Sequence, residues 1–254
     1  MANASKLVLI TGGSRGLGRN MAEHLARRGA DVVITYRSRD DEARAVVAAV
    51  EALGRRAAML QLDTADTAAF GAFVDAFRTT LSDTFGRSDF DALVNNAGMG
   101  AYATFLDTSE DDFDALMNVH VKGVFFLTQR LAPLLADGGQ IVNVSSGLTR
   151  FSLPGFAAYA AMKGAVEVLT RYLAKELGPR RIAVNTLAPG AIETDFGGGM
   201  VRDNAELNQQ IAAATAMGRV GQPDDIGGAV ASLVGGETGW MTAQRIEVSG
   251  GQAI

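Results

Sequence analysis

Short apolar runs alternate along this chain with longer stretches whose apolar positions recur every three or four residues. The runs 6–11, 31–36, 57–62, 92–95, 140–145, 182–187 and 245–248 have the length and composition of β-strands. The periodic stretches 17–28, 40–53, 67–85, 111–136 and 156–177 read as helices; in the first, Leu17, Met21, Ala22, Leu25 and Ala26 share one face and Gly29 is a natural stop. Regular alternation of this kind predicts an α/β fold, a doubly wound parallel sheet in a single domain with crossover helices on both faces. Several strands are almost wholly apolar, as strands covered on both sides must be. Residues 192–223 break the rhythm. They hold Gly197-Gly198-Gly199 and a helical stretch at 204–216 where a strand should have returned. Long excursions in compact domains are often lids, so this one is expected to be a substrate loop, with a plain surface insertion as the alternative.

Composition narrows the classes of function. A chain of 254 residues that is 48% hydrophobic can bury a full two-faced core unaided. It has no cysteine, which excludes disulfides and a thiol nucleophile. The two histidines, His24 and His120, lack metal-ligand spacing and are assigned structural or surface roles. No apolar stretch approaches a membrane span, and no basic segment leads into a secretory apolar region. A net charge of -5, scattered along the chain, argues against nucleic acid as a partner. The expectation is a cytoplasmic protein acting on a small molecule, with no nucleic acid, membrane or metal involved.

Two segments carry chemistry. The first strand feeds into Gly12-Gly13-Ser14-Arg15-Gly16-Leu17-Gly18, and a helix follows. Strand, glycine turn and helix in that order suit a phosphate, because glycines admit the ligand to the backbone and the helix N-terminus offers unpaired N–H groups. Far along the chain, Tyr159 and Lys163 stand four apart on a predicted helix, hence on one face, with Ser146 thirteen residues before the tyrosine. An ammonium one turn away is expected to pull the phenol's pKa down toward the working range.

With these segments in view, the chain resembles the single-domain short-chain dehydrogenase/reductases from Leu7 to Gly251. The match rests on the glycine turn after Thr11, on Asn95-Asn96-Ala97-Gly98, on Asn118, on Ser146 with Tyr159 and Lys163, and on Pro189-Gly190 with Thr194. The resemblance implies a seven-stranded Rossmann-type sheet in the order 3-2-1-4-5-6-7, and a ketone–alcohol oxidoreductase. Tyr159 would be the general acid/base and Ser146 would hold the carbonyl oxygen. Lys163 would bond the nicotinamide ribose, and Asn118 would bend its helix and hold a proton-relay water, unless its amide is simply satisfied by backbone. Cofactor contacts carried over in the same way are Gly12, Ser14, Arg15, Gly16, Leu17, Gly18, Arg37, Asp63, Asn95, Ala97, Gly98, Tyr159, Lys163, Pro189, Gly190, Ile192 and Thr194. A structural brace at Asn95 and a helix cap at Asp63 remain open alternatives.

Charge selects the cofactor. The second strand lacks the terminal acid typical of NAD users and is followed instead by Arg37, while Arg15 sits in the glycine turn; NADP(H) is therefore expected. The family's usual Thr-Gly-Gln and Asp-Gly-Gly near the last strand read Thr242-Ala243-Gln244 and Ser249-Gly250-Gly251 here. Family members are mostly tetramers, so a homotetramer is expected. A related subgroup reduces 3-oxoacyl groups on an acidic carrier protein. Arg180 and Arg181 could meet one, but the turn at 134–140 adds no base, and a free ketone or secondary alcohol is preferred. Gly147, Leu148, Phe151, Phe156, Phe196 and Met200 are the candidate pocket residues. A catalytically silent NADP-binding regulator, or a lyase or epimerase on the same scaffold, are the remaining alternatives.

Overall fold

The computed structural model describes residues 5–254. Seven parallel strands form one sheet in the order β3-β2-β1-β4-β5-β6-β7. They are β1 (Leu7–Ile10), β2 (Asp31–Tyr36), β3 (Ala57–Gln61), β4 (Phe90–Asn95), β5 (Leu135–Val144), β6 (Ala183–Pro189) and β7 (Arg245–Val248). The helices are α1 (Gly16–Arg27), α2 (Asp40–Ala52), α3 (Phe70–Phe85), α4 (Glu110–Met117), α5 (Val124–Leu131), α6 (Ala157–Leu177), α7 (Met200–Asp203), α8 (Ala205–Ala213) and α9 (Pro223–Val234). Strand order reverses between β1 and β4, which opens a crevice at their carboxyl ends, the place where ligands enter folds of this type.

Strand alternation divides the core in two. Val8 and Ile10 of β1 point to one face, where they meet Met21, Ala22 and Leu25 of α1, Val46 and Val50 of α2, and Ile226 and Val230 of α9. Leu7 and Leu9 point to the other, against Phe70, Phe77 and Leu81 of α3, Leu127 and Leu131 of α5 and Ala174 of α6.

Two departures from the expected elements have local causes. The helix α9 was not foreseen, because Gly227 and Gly228 dilute its apolar pattern. They serve packing instead: a Cβ at Gly227 would lie 2.0 Å from Asn20 Oδ1, so the glycine lets α9 close on α1. The long helix expected at 111–136 is really α4 and α5 joined by a π-helical segment, Asn118–Gly123. At its end Gly123 admits the Thr64 carbonyl, which a Cβ would meet at 2.1 Å. Such widened turns gather at functional sites.

Charges at the amino end of the sheet are paired. Asp31, 1% exposed, is gripped by Arg55 and Arg56 at 2.6 and 2.7 Å, and also accepts from the Ser5 hydroxyl and the Arg56 backbone N–H. Burial opposes its ionisation, yet Arg56, Ser5 and Arg55 outweigh that and hold the carboxyl below its usual range. Close by, Asp91 accepts from the Leu7 N–H at 2.7 Å and pairs with Arg87 at 2.6 Å. Arg180 is fastened to Asp137 and to the carbonyls of Ala132 and Leu135.

Candidate active site

Tyr159 and Lys163 lie on the buried stripe of α6, with Met162, Val166, Thr170 and Ala174, rather than on a solvated face. They are 7% and 5% exposed. Lys163 Nζ donates to the Val144 carbonyl at 2.8 Å, so the lysine is tied to the last residue of β5, and it sits 5.6 Å from the Tyr159 ring centre. Ser146, two residues further on, caps a short turn by accepting the Leu148 N–H at 3.2 Å. Burial drives both ionisable groups toward neutrality. The Tyr159 phenol is pushed well above its ordinary value, with a hydrogen bond to Ser146 acting the other way, and Lys163 is lowered to about 7. Desolvation, and not the expected pull of the Lys163 ammonium, governs the phenol and holds it protonated.

Two polar networks fix this cluster. Asn95 donates to Asn143 Oδ1 at 2.8 Å and to Thr128 Oγ1 at 3.0 Å. Asn143 donates to Thr170 Oγ1 at 2.9 Å, and Thr186 reaches the same hydroxyl at 2.8 Å. This buried line ties β4, β5, α6 and β6 together, and it assigns the Asn95 amide to bracing the sheet. One turn beyond Lys163, Glu167 Oε1 accepts from Ser145 at 2.8 Å, from Thr149 at 2.7 Å and from Arg245 at 2.9 Å. Arg245 also reaches the Ser146 carbonyl at 3.3 Å, and Arg150 grips Glu247 and the carbonyls of Gln252 and Ala253. The loop that carries Ser146 is therefore bolted to β7 and the residues after it.

The glycine turn forms the other wall of the crevice. Gly12 has φ 64° and packs against Ala97, whose Cα a Cβ would meet at 2.9 Å; a Cβ at Gly18 would strike the Gly12 carbonyl at 2.2 Å. Asn96 pins the turn by donating to the carbonyls of Thr11 and Gly12 at 3.0 and 3.1 Å. Ser14 is buried and Leu17 packs on the core beneath. Gly16, φ 55°, opens α1, and the nearest atom to a Cβ there is Thr194 Cβ at 4.0 Å. A cleft of about 260 Å³ lies beside Gly16 and Thr194, with charges of both signs in its lining: Arg19 and Arg202 against Glu23, Glu193 and Asp195. The first turn of α1 has no acidic residue and no side-chain cap, which leaves its opening N–H groups without a side-chain partner, as a helix end that receives a phosphate requires.

Other expected contacts fall around the same crevice. Arg15 and Arg37 are exposed and make no ion pair among the described residues, whereas neighbouring Arg39 and Arg44 are paired with Glu42 and Asp40. Asp63, exposed after β3, accepts the Ala65 N–H at 2.9 Å; the cap of the next short helix is Asp66. Pro189 ends β6, the Gly190 N–H donates to Val248, and Gln252 Oε1 accepts the next amide, that of Ala191. Ile192 pairs with Gly221, so the two ends of the excursion meet, and Asn208 and Gln222 both bond Glu193.

Asn118 and His120 lie on the same π-helical segment. Asn118 starts the π-helical segment, and no hydrogen bond joins its side chain to Tyr159, Lys163 or Ser146. His120, given no site role from sequence, is 1% exposed and stands edge-to-face with the Tyr159 ring at 5.3 Å. Its Nε2 lies 2.7 Å from the Met99 carbonyl, its Nδ1 has no partner, and Gly98 makes room for its ring. Burial and the Lys163 charge lower its pKa to about 3, so it is neutral at working pH. A lone histidine in an apolar helix gave no pattern to read; only the π turn swings it toward Tyr159.

A family model described as enoyl-(acyl carrier protein) reductase matches residues 12–253. An uncharacterised oxidoreductase of Methylorubrum extorquens is 37% identical over 246 residues, 97% of each chain. Among solved structures, the promiscuous reductase LugOII, which catalyses keto-reduction at C1 during lugdunomycin biosynthesis, is 36% identical with a TM-score of 0.93 over the full length of both chains. The angucycline C-6 ketoreductase LanV with bound NADP is 34% identical, TM-score 0.93, over 99% of this chain and 97% of its own. Strand order, glycine crevice and the Ser146–Tyr159–Lys163 cluster agree with these likenesses: the chain belongs to the short-chain dehydrogenase/reductase family.

Proposed function

We propose that the protein is an NADP(H)-dependent oxidoreductase that interconverts a ketone and a secondary alcohol, with Tyr159 as general acid in reduction. The observation that carries this reading is the burial of Tyr159 beside Ser146 and Lys163, next to the glycine-lined crevice. The glycine turn at 12–18 would hold the nicotinamide cofactor, whose chemistry there would be hydride delivery to the carbonyl carbon. Burial keeps Tyr159 protonated, so the phenol is ready to give its proton to the oxygen as charge develops there, and Ser146 donates a second hydrogen bond to that oxygen. The tyrosinate left behind favours the ammonium form of Lys163, which at about 7 is poised to take up that charge. His120 is a positioning residue that braces the Tyr159 ring, and Asn118 bends the helix by opening the π turn.

Arg15 and Arg37, unpaired at the adenosine side, support the phosphorylated cofactor, as does the NADP bound to LanV. The keto-reductions of LugOII and LanV support a ketone. An acyl-carrier partner is disfavoured. Arg180 follows the far end of α6, about 30 Å from Tyr159 at 1.5 Å per residue, and its guanidinium is already bonded. The segment 192–223 serves as a lid over the crevice. Exposed Phe113, Phe125, Phe126, Val168 and Tyr172 on α4, α5 and α6 support the homotetramer, which light scattering would test.

The deciding experiment is Tyr159→Phe with NADPH and a ketone. Turnover should fall about 10²- to 10⁴-fold with NADPH binding retained. Undiminished reduction would overturn the mechanism.

A further inference from the structure

Resting on the ketone-reductase reading, we infer that the substrate is an uncharged ketone carried on a flat, fused aromatic ring system, received in a slot of aromatic side chains beside Tyr159. Three rings, on the loops that follow β4, β5 and β6, are seated on glycines. Phe196 lies over Gly100, where a Cβ would meet its ring at 3.0 Å, and reaches to 5.8 Å from the Tyr159 ring. Phe151 lies over Gly147, next to Ser146, where the same atom would be 2.9 Å away. Tyr102 covers Gly155, where a Cβ would fall 2.2 Å from the ring, and stands edge-to-face with Phe156 at 5.4 Å. Gly100 and Gly147 have no left-handed backbone to explain them, so the room they leave is room for a ring.

Phe196 and Tyr102 do not complete a core, while the Phe151 ring lies under the Arg150 guanidinium at 5.4 Å. Phe196 is 46% exposed and Tyr102 65%, with Met200 half-exposed beyond the left-handed glycines 197–199. Large apolar faces left in water at the entrance to a buried proton donor gain by covering, and ring faces are best covered by another flat π system. Charge selects further. Arg202, on the segment that carries Phe196, is committed to Asp195 and Asp203, and Arg150, beside Phe151, is committed to Glu247 and two carbonyls. Neither is free for a carboxylate, a phosphate or an acidic carrier, whereas Glu110, Asp111 and Asp112 open α4 on the chain just beyond Tyr102.

The test compares NADPH-dependent reduction of 1-tetralone and a tricyclic anthracenone with ethyl acetoacetate and an acetoacetyl thioester. The fused-ring ketones should be reduced with kcat/KM at least tenfold higher. Phe196→Ala and Tyr102→Ala alter exposed side chains and should fold; each should lower kcat/KM for 1-tetralone at least tenfold more than for ethyl acetoacetate, chiefly through KM. Gly100→Ala, which displaces Phe196, should act in the same direction. Equal or better use of the aliphatic substrates, or equal losses on both, overturns the aromatic assignment. If those substrates are still reduced by wild type but not by Tyr159→Phe, the ketone-reductase reading survives; no reduction of any ketone with NADPH bound overturns both.

Discussion

The two ends of the sheet treat charge in opposite ways. At the amino end Asp31, Asp91 and Arg180 are each met by several partners within the fold. At the carboxyl end Lys163 has one carbonyl, His120 keeps a bare nitrogen, and Arg15 and Arg37 have no counter-charge among the described residues. The first arrangement stabilises the fold; the second leaves binding capacity for something that is not part of the chain. Substitution should therefore cost stability at one end and function at the other.

The largest expected effect lies at the satisfied end. Asp31→Asn leaves Arg55 and Arg56 without their carboxylate and should destabilise by about 3–5 kcal/mol in urea unfolding, with kcat/KM per folded molecule unchanged. Because the folded pKa of Asp31 is lowered, its contribution is present above the unfolded value and fades as pH falls through the folded one. The variant should lose its deficit in strongly acidic buffer.

Lys163→Met should move stability the other way. A lysine held near 7 when folded releases a proton that the unfolded chain keeps up to about 10.5, so its burial costs most below pH 7 and costs nothing once pH exceeds 10.5. The variant should be inactive yet more stable by about 2–4 kcal/mol at pH 7, with the gain shrinking toward pH 10.5. Denaturant titrations at pH 7 and 10 would check it. Smaller still, Arg37→Ala and Arg15→Ala should each lower the NADPH-over-NADH preference about tenfold, read as a ratio of kcat/KM values. Smallest is Ala243→Gly. Ala243 holds φ 59° where the resembling proteins have glycine, and relieving it should add about 0.5–1 kcal/mol without touching activity.

The sheet was legible because its signal is repeated. Seven apolar runs, each needing cover on both faces, leave few arrangements, and β2 and β7 begin and end where their runs do. Tyr159, Lys163 and Ser146 were legible because spacing along a helix and a strand end translates directly into proximity. His120 was not, since a π turn changes which side of a helix a residue faces and no residue pattern announces one. Nor was α9, whose glycines weaken its apolar pattern while allowing it to approach α1 closely. The seats under Phe196, Phe151 and Tyr102 join residues from separate loops, a juxtaposition that exists only after folding.

The bolts between the Ser146 loop and β7 have a practical consequence for handling the protein. Arg150 spans to the carbonyls of Gln252 and Ala253, and Arg245 to that of Ser146, so the final residues act as a latch on the loop that carries Ser146. Trimming back to Ser249, or fusing a bulky tag directly after Ile254, should loosen that latch and dull catalysis in a protein that still folds and still holds its cofactor.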